Sequence, residues 1–96
     1  MDFECKWADL HRQYNHIKFQ LVIIELDLAI TYCHIAAVTA DQVRFYRNLA
    51  NAERAYCTAA YFLDGKLTAL QNLQIKARLD LFLYLRTNCD DSMQIQ

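Results

Sequence analysis

Apolar residues in the first third of the chain recur at alternating steps of three and four. We call this line the heptad seam, and only Thr31 interrupts it: Leu10, Tyr14, Ile17, Leu21, Ile24, Leu28 and Ile35. Such spacing predicts a long helix with a coiled-coil-like stripe. Two more apolar lines, Phe19–Leu26–Cys33 and Ile23–Ile30–Ala37, make residues 19–30 hydrophobic nearly all round. A helix of that kind is packed on more than one side.

Two Thr-x-x-Gln segments, at Thr39 and Thr68, predict capping boxes that open a second and a third helix. Asp64-Gly65 is predicted to end the second helix, because glycine tolerates a left-handed C-terminal cap. In the third helix, residues 79–85 are again apolar on all sides except at Asp80. The second helix alone is conventionally amphipathic, with an apolar face of Phe45, Leu49, Ala52, Tyr56, Ala59 and Leu63.

The predicted fold class is all-α, an antiparallel three-helix bundle with a long first helix, completed by dimerisation. We expect helices at about 3–38, 41–64 and 69–87 in a single domain, 1–88, followed by a frayed polar tail, 89–96. Antiparallel neighbours place first-helix residue i level with third-helix residue i+54. If the first helix is continuous, residues 1–13 project beyond the bundle and are expected to embrace a partner subunit. The alternative is that this segment folds back as a short separate helix.

The chain is 96 residues long and 55% hydrophobic, which exceeds the roughly 45–50% of an ordinary soluble domain. A small bundle covers only one face of each helix, so the first and third helices are expected to present a second apolar surface to another copy. The six tyrosines of the chain also suit an interface, because a tyrosine ring buries area while its hydroxyl remains hydrogen-bonded. The predicted interface residues are Trp7, Phe19, Ile23, Leu26, Ile30, Leu79 and Leu83.

Net charge, the length of the apolar stretch and the cysteine spacing indicate which partners and which cellular compartment to expect. The formal net charge of -1 makes a nucleic-acid partner unlikely, and the arginines of the second helix are expected to be a solvated face. The apolar stretch 19–30 is too short to span a membrane and contains Glu25 and Asp27. The four cysteines form no Cys-x-x-Cys pair, so we expect free thiols in the cytoplasm.

Charged residues cluster at one predicted level of the bundle, where an ion-pair layer is expected. The alternative is a carboxylate cluster that binds a metal or performs acid/base chemistry. A second candidate, Cys33 and His34 near Cys89 and Asp90, offers zinc-type ligands without a zinc-motif spacing. No metal or other cofactor is expected. The predicted layer comprises Glu25, Asp27, Glu53, Arg54, Arg78 and Asp80.

The sequence contains no nucleophile–base pair, glycine-rich phosphate loop or nucleophile elbow. The function expected from these observations is a small non-catalytic interaction or adaptor module that self-associates as a homodimer and accommodates another protein. Two alternatives remain open. One is a bundle that binds a small apolar ligand between its helices, and the other is a metal-dependent enzyme built on the carboxylates.

Overall fold

The computed structural model describes residues 3–63 and 67–95, and the side chains of residues 6–63 and 67–89. The described chain contains three α-helices and no strand: α1 (Phe3–Val38), α2 (Gln42–Phe62) and α3 (Ala69–Ile95). The predicted all-helical class is therefore confirmed, and α1 is continuous from Phe3 to Val38, a point that the sequence left open.

Three small clusters form the core between the helices. At one end, Ala36 packs with Phe45, Leu49 and Cys89. In the middle lie Ala29, Cys33, Ala52, Ala55 and Phe82, and at the other end Val22 and Leu26 meet Ala59 and Ile75. Each cluster therefore combines residues of all three helices. The contact of α1 with α2 is more extensive than that with α3.

Only one of the two predicted capping boxes forms. The Gln71 backbone N–H donates to the Thr68 hydroxyl at 3.1 Å, and the Thr68 N–H donates to the Gln71 side-chain oxygen at 3.0 Å. The prediction of a capping box at Thr39 is wrong, because the Thr39 hydroxyl donates to the Ile35 carbonyl at 2.6 Å. Asp41 caps α2 instead, accepting from the Val43 N–H at 2.9 Å. Asp64-Gly65 lies outside the described residues.

Helix α3 continues beyond Thr87 to Ile95, where the sequence predicted a frayed tail from 89 onward. The physical reason lies at Cys89, which is 2% exposed and packs beside Ala36. Phe82 and Cys89 stand seven residues apart on one side of the helix. Apolar contact with α1 therefore carries the helix past the point at which the sequence becomes polar.

Helix α1 projects beyond the other two helices. Its 36 residues span about 54 Å at 1.5 Å per residue, and the molecule measures 65 × 23 × 16 Å. The far end of the packed region is marked by Phe19, where Phe62 and Leu67 close the last core cluster. Every described side chain before Asn15 is exposed. Residues 6–14 of α1 thus form an overhang with exposed side chains, and the alternative in which this segment folds back as a separate helix is wrong.

Candidate interaction surface

Helix α1 carries two lines of apolar residues with the same heptad spacing but opposite environments. The first, which we call the core line, faces α2 and α3, and its five members are at most 2% exposed. The second is the heptad seam. Because the two lines lie on different sides of α1, the contacts that bury the core line leave the seam uncovered. The core line comprises Val22, Leu26, Ala29, Cys33 and Ala36.

All seven residues of the heptad seam are exposed, from 39% at Leu21 to 59% at Leu10 and Tyr14. Trp7 and Val38 continue the same spacing at its two ends and are 64% and 84% exposed. We call the nine residues together the extended seam. They expose on the order of 1,000 Å² per chain, which is comparable to the ~800 Å² that each partner buries in a standard specific interface.

The structure divides the predicted interface residues into three groups. Leu26 is 1% exposed and lies in the core, so its assignment to a surface shared with another chain is corrected. Phe19, Ile23, Ile30 and Leu79 are partly buried against the core clusters. Trp7 and Leu83, at 64% and 52% exposed, are the two that lie on the surface.

Side-chain size explains which line of α1 is buried. The core line contains Ala29, Cys33 and Ala36, and the facing side of α2 presents Ala52, Ala55 and Ala59. Small residues on both helices let the two backbones approach closely, whereas the bulky heptad seam does not allow such an approach. This signal was present in the sequence, but the prediction was based on the spacing of apolar residues and did not use the size of their side chains.

The predicted ion-pair layer exists only in part and is not buried. Arg78 Nε donates to Asp27 Oδ1 at 2.9 Å, joining α3 to α1, with the two side chains 33% and 55% exposed. Glu53 pairs with Arg86, which the sequence prediction had not included. Such partly exposed pairs contribute about 1 kcal/mol or less. The other three predicted members form no ion pair that the structure records: half-buried Glu25 and exposed Arg54 and Asp80.

The two buried cysteines, Cys33 of α1 and Cys89 of α3, are joined by a hydrogen bond. The Cys89 thiol donates to the Cys33 carbonyl at 3.7 Å. Burial, together with Cys89 and Glu53 nearby, raises the pKa of Cys33 to about 11, although Arg86 acts in the opposite direction. His34 is exposed, and the side chain of Asp90 lies outside the described residues. In the part of the chain that the structure describes, no group of three or more His, Cys, Asp or Glu residues is arranged to hold a metal ion.

We expect the thiols to differ sharply in reactivity. Cys57 is exposed, whereas Cys33 is buried and keeps its proton well above pH 8, and the thiolate is the reactive form. Iodoacetamide at pH 8 should therefore modify Cys57 at least about tenfold faster than Cys33, as measured by mass spectrometry of peptides. The denatured chain provides the control, since both sites should then react alike. Equal rates in the folded protein would contradict this packing.

The cavities between the helices are small. One beside Leu26, Tyr56 and Leu79 has a volume of about 60 Å³, compared with the roughly 300–1,000 Å³ of a typical ligand pocket. A larger space of about 520 Å³ lies on the overhang and is an open groove along one side of a single helix. Its lining residues include Trp7, Leu10, Tyr14 and Ile17, all members of the extended seam.

One described helix stretch, Lys6–Val38, is long and apolar enough by length and composition to cross a membrane. Only 28% of its most apolar window is buried within the bundle. This is weak evidence, because core helices of soluble proteins and N-terminal signal sequences pass the same test. The residues of the extended seam lie within this stretch, so its apolar composition and the exposed seam reflect the same residues.

Comparison with protein-family models, with curated proteins and with solved structures finds no significant match. The functional conclusion therefore depends on the surface of α1 itself.

Proposed function

We propose that this protein is a small, non-catalytic helical interaction module that self-associates as a homodimer. Its three helices would form an antiparallel bundle, and α1 would supply most of the contact, with α3 contributing Leu83. The observation that carries the proposal is the extended seam, an apolar line on α1 that is interrupted only at Thr31 and whose members are 39–84% exposed. Another protein would then bind the assembled pair, consistent with the adaptor role expected from the sequence.

Three features support self-association. Exposed apolar area of this extent is uncommon on a monomeric protein. Alternate spacing of three and four residues is the pattern by which helices pair side by side. The small core leaves a single chain with little stability to spare, and association would add to it.

The two alternative functions find less support. An apolar ligand between the helices would need more room than the cavity of about 60 Å³ beside Leu26 provides. A carboxylate enzyme would need its acids close together, whereas Asp27 and Glu53 pair with different arginines, Arg78 and Arg86.

Sedimentation equilibrium of the full chain tests the proposal. At low micromolar concentration the expected mass is twice the 11.3 kDa of one chain. A mass of one chain throughout the range from 1 to 100 µM would overturn it. Addition of a metal chelator serves as the control, and the dimer mass should not change.

A further inference from the structure

We infer that two copies pair through their α1 helices as an antiparallel coiled coil centred between Leu21 and Ile24. This inference rests on the proposed homodimer and adds its geometry. The occupant of the extended seam is then the same seam on a second copy.

The register follows from the heptad positions. In the a–g notation, Trp7, Tyr14, Leu21, Leu28 and Ile35 occupy a, while the remaining seam residues and Thr31 occupy d. Antiparallel coiled coils place each a residue opposite a d residue of the partner. When Leu21 faces the partner's Ile24, the other layers follow from the spacing: Leu28 with Ile17, Ile35 with Leu10, Tyr14 with Thr31, and Trp7 with Val38.

Charges beside the seam select this register. Lys18 and Glu25 occupy e positions, which face e positions in an antiparallel pair. With Leu21 opposite Ile24, Lys18 of each copy lies opposite Glu25 of the other, which gives two complementary pairs. At the g positions, Asp27 lies opposite Gln20, so no like charges meet. Both Lys18 and Glu25 are half-buried at the side of α1 in the single copy.

Neighbouring registers bring like charges together. A shift of one heptad in one direction places Lys18 opposite Lys18 of the partner. The opposite shift places Glu25 opposite Glu25 and Asp27 opposite Asp27. A parallel pair in register sets Lys6 beside His11 and Gln20 beside Glu25, and it forms no pair of opposite charge. Like charges held face to face disfavour the two shifted registers, and the parallel pair lacks complementary charges, so the central antiparallel register is selected.

The same register accounts for the overhang. Residues 7–17 of one copy would lie along residues 28–38 of the other, where the partner's seam is uncovered but its core line is packed against α2 and α3. Trp7, 64% exposed in the single chain, would reach the partner's Val38. Each overhang would thus cover the C-terminal half of its partner's seam.

Disulfide trapping of two variants tests the geometry. One chain carries Leu10→Cys and the other, labelled with nitrogen-15, carries Ile35→Cys, both in a background of Cys5→Ser and Cys57→Ser. The chains are mixed and oxidised in air, and the products are weighed by mass spectrometry. The expected product is the mixed disulfide at more than about tenfold excess over either self-linked product, because two copies of position 10 lie roughly 37 Å apart in this arrangement.

The outcomes separate the geometry from the proposed homodimer. A self-linked Leu10→Cys product indicates a parallel pair and overturns the antiparallel register, while the homodimer stands. If the protein has a dimer mass but forms neither the mixed nor a self-linked disulfide, pairing through α1 is overturned and the homodimer stands. A one-chain mass for the unsubstituted protein overturns both, and its sedimentation with phosphatidylcholine vesicles would identify the seam as a lipid-binding surface.

Discussion

Replacing Ile24 with glutamate is expected to convert the proposed dimer into single chains while leaving each bundle folded. Ile24 is 54% exposed in the single copy, so the carboxylate remains hydrated there. In the dimer it would enter the central layer twice, and burying unpaired charge costs several kcal/mol. At 1.4 kcal/mol per factor of ten, the dissociation constant should rise at least about 100-fold. Sedimentation velocity measures the mass, and circular dichroism measures the helix content.

Leu73→Glu provides the matched control. Leu73 is 65% exposed on α3, and it lies nine residues before Phe82, on the side of α3 turned away from α1. The substitution introduces the same charge on a surface outside the proposed interface, so dimer mass should persist. Dissociation by Leu73→Glu with little effect of Ile24→Glu would move the interface from α1 to the outer side of α3.

The largest effect on folding is expected from Phe82→Ala. Phe82 is 1% exposed, lies in the middle core cluster and stacks on Tyr56 with ring centroids 5.0 Å apart. Truncation of a buried phenylalanine costs about 3–5 kcal/mol, a large share of the ~5–15 kcal/mol available to a domain of this size. Urea unfolding followed by circular dichroism should show a loss of that order, with all variants at one protein concentration.

Leu73→Ala serves as the control for Phe82→Ala. Leu73 is 65% exposed and lies outside the proposed interface, so its removal leaves no cavity, and the change in the free energy of unfolding should be below about 1 kcal/mol. Equal losses at the two positions would mean that α3 is rotated relative to the arrangement described above. A small loss at Phe82 would show that the middle cluster does not stabilise the bundle.

Much of the fold could be predicted from local patterns. The long α1 and the box at Thr68 follow from spacing and capping chemistry, although the sequence left open whether residues 1–15 continue α1. Two details could not be predicted from local patterns, because they depend on tertiary contacts. Thr39 bonds back to Ile35, leaving Asp41 to cap α2, and the burial of Cys89 extends α3 beyond its apolar segment.

The candidate surface was harder to predict, because α1 carries two equivalent heptad lines. Spacing identifies both lines but does not say which one the chain itself covers. The deciding factor was side-chain size: Ala29 and Ala36 fit against the alanines of α2, and the bulky seam around Ile24 is left outside. Leu26 was therefore assigned to the wrong environment, although the prediction of surplus apolar surface on α1 agrees with the exposed seam.

The fluorescence of Trp7 tests most directly whether a second copy covers the extended seam, since it is the chain's only tryptophan. Its quenching by acrylamide should be measured while the protein is diluted from 100 µM to below the dissociation constant. We predict several-fold protection in the dimer, lost on dilution and absent in Ile24→Glu at every concentration. A tryptophan that is equally accessible in dimer and single chain would contradict the account.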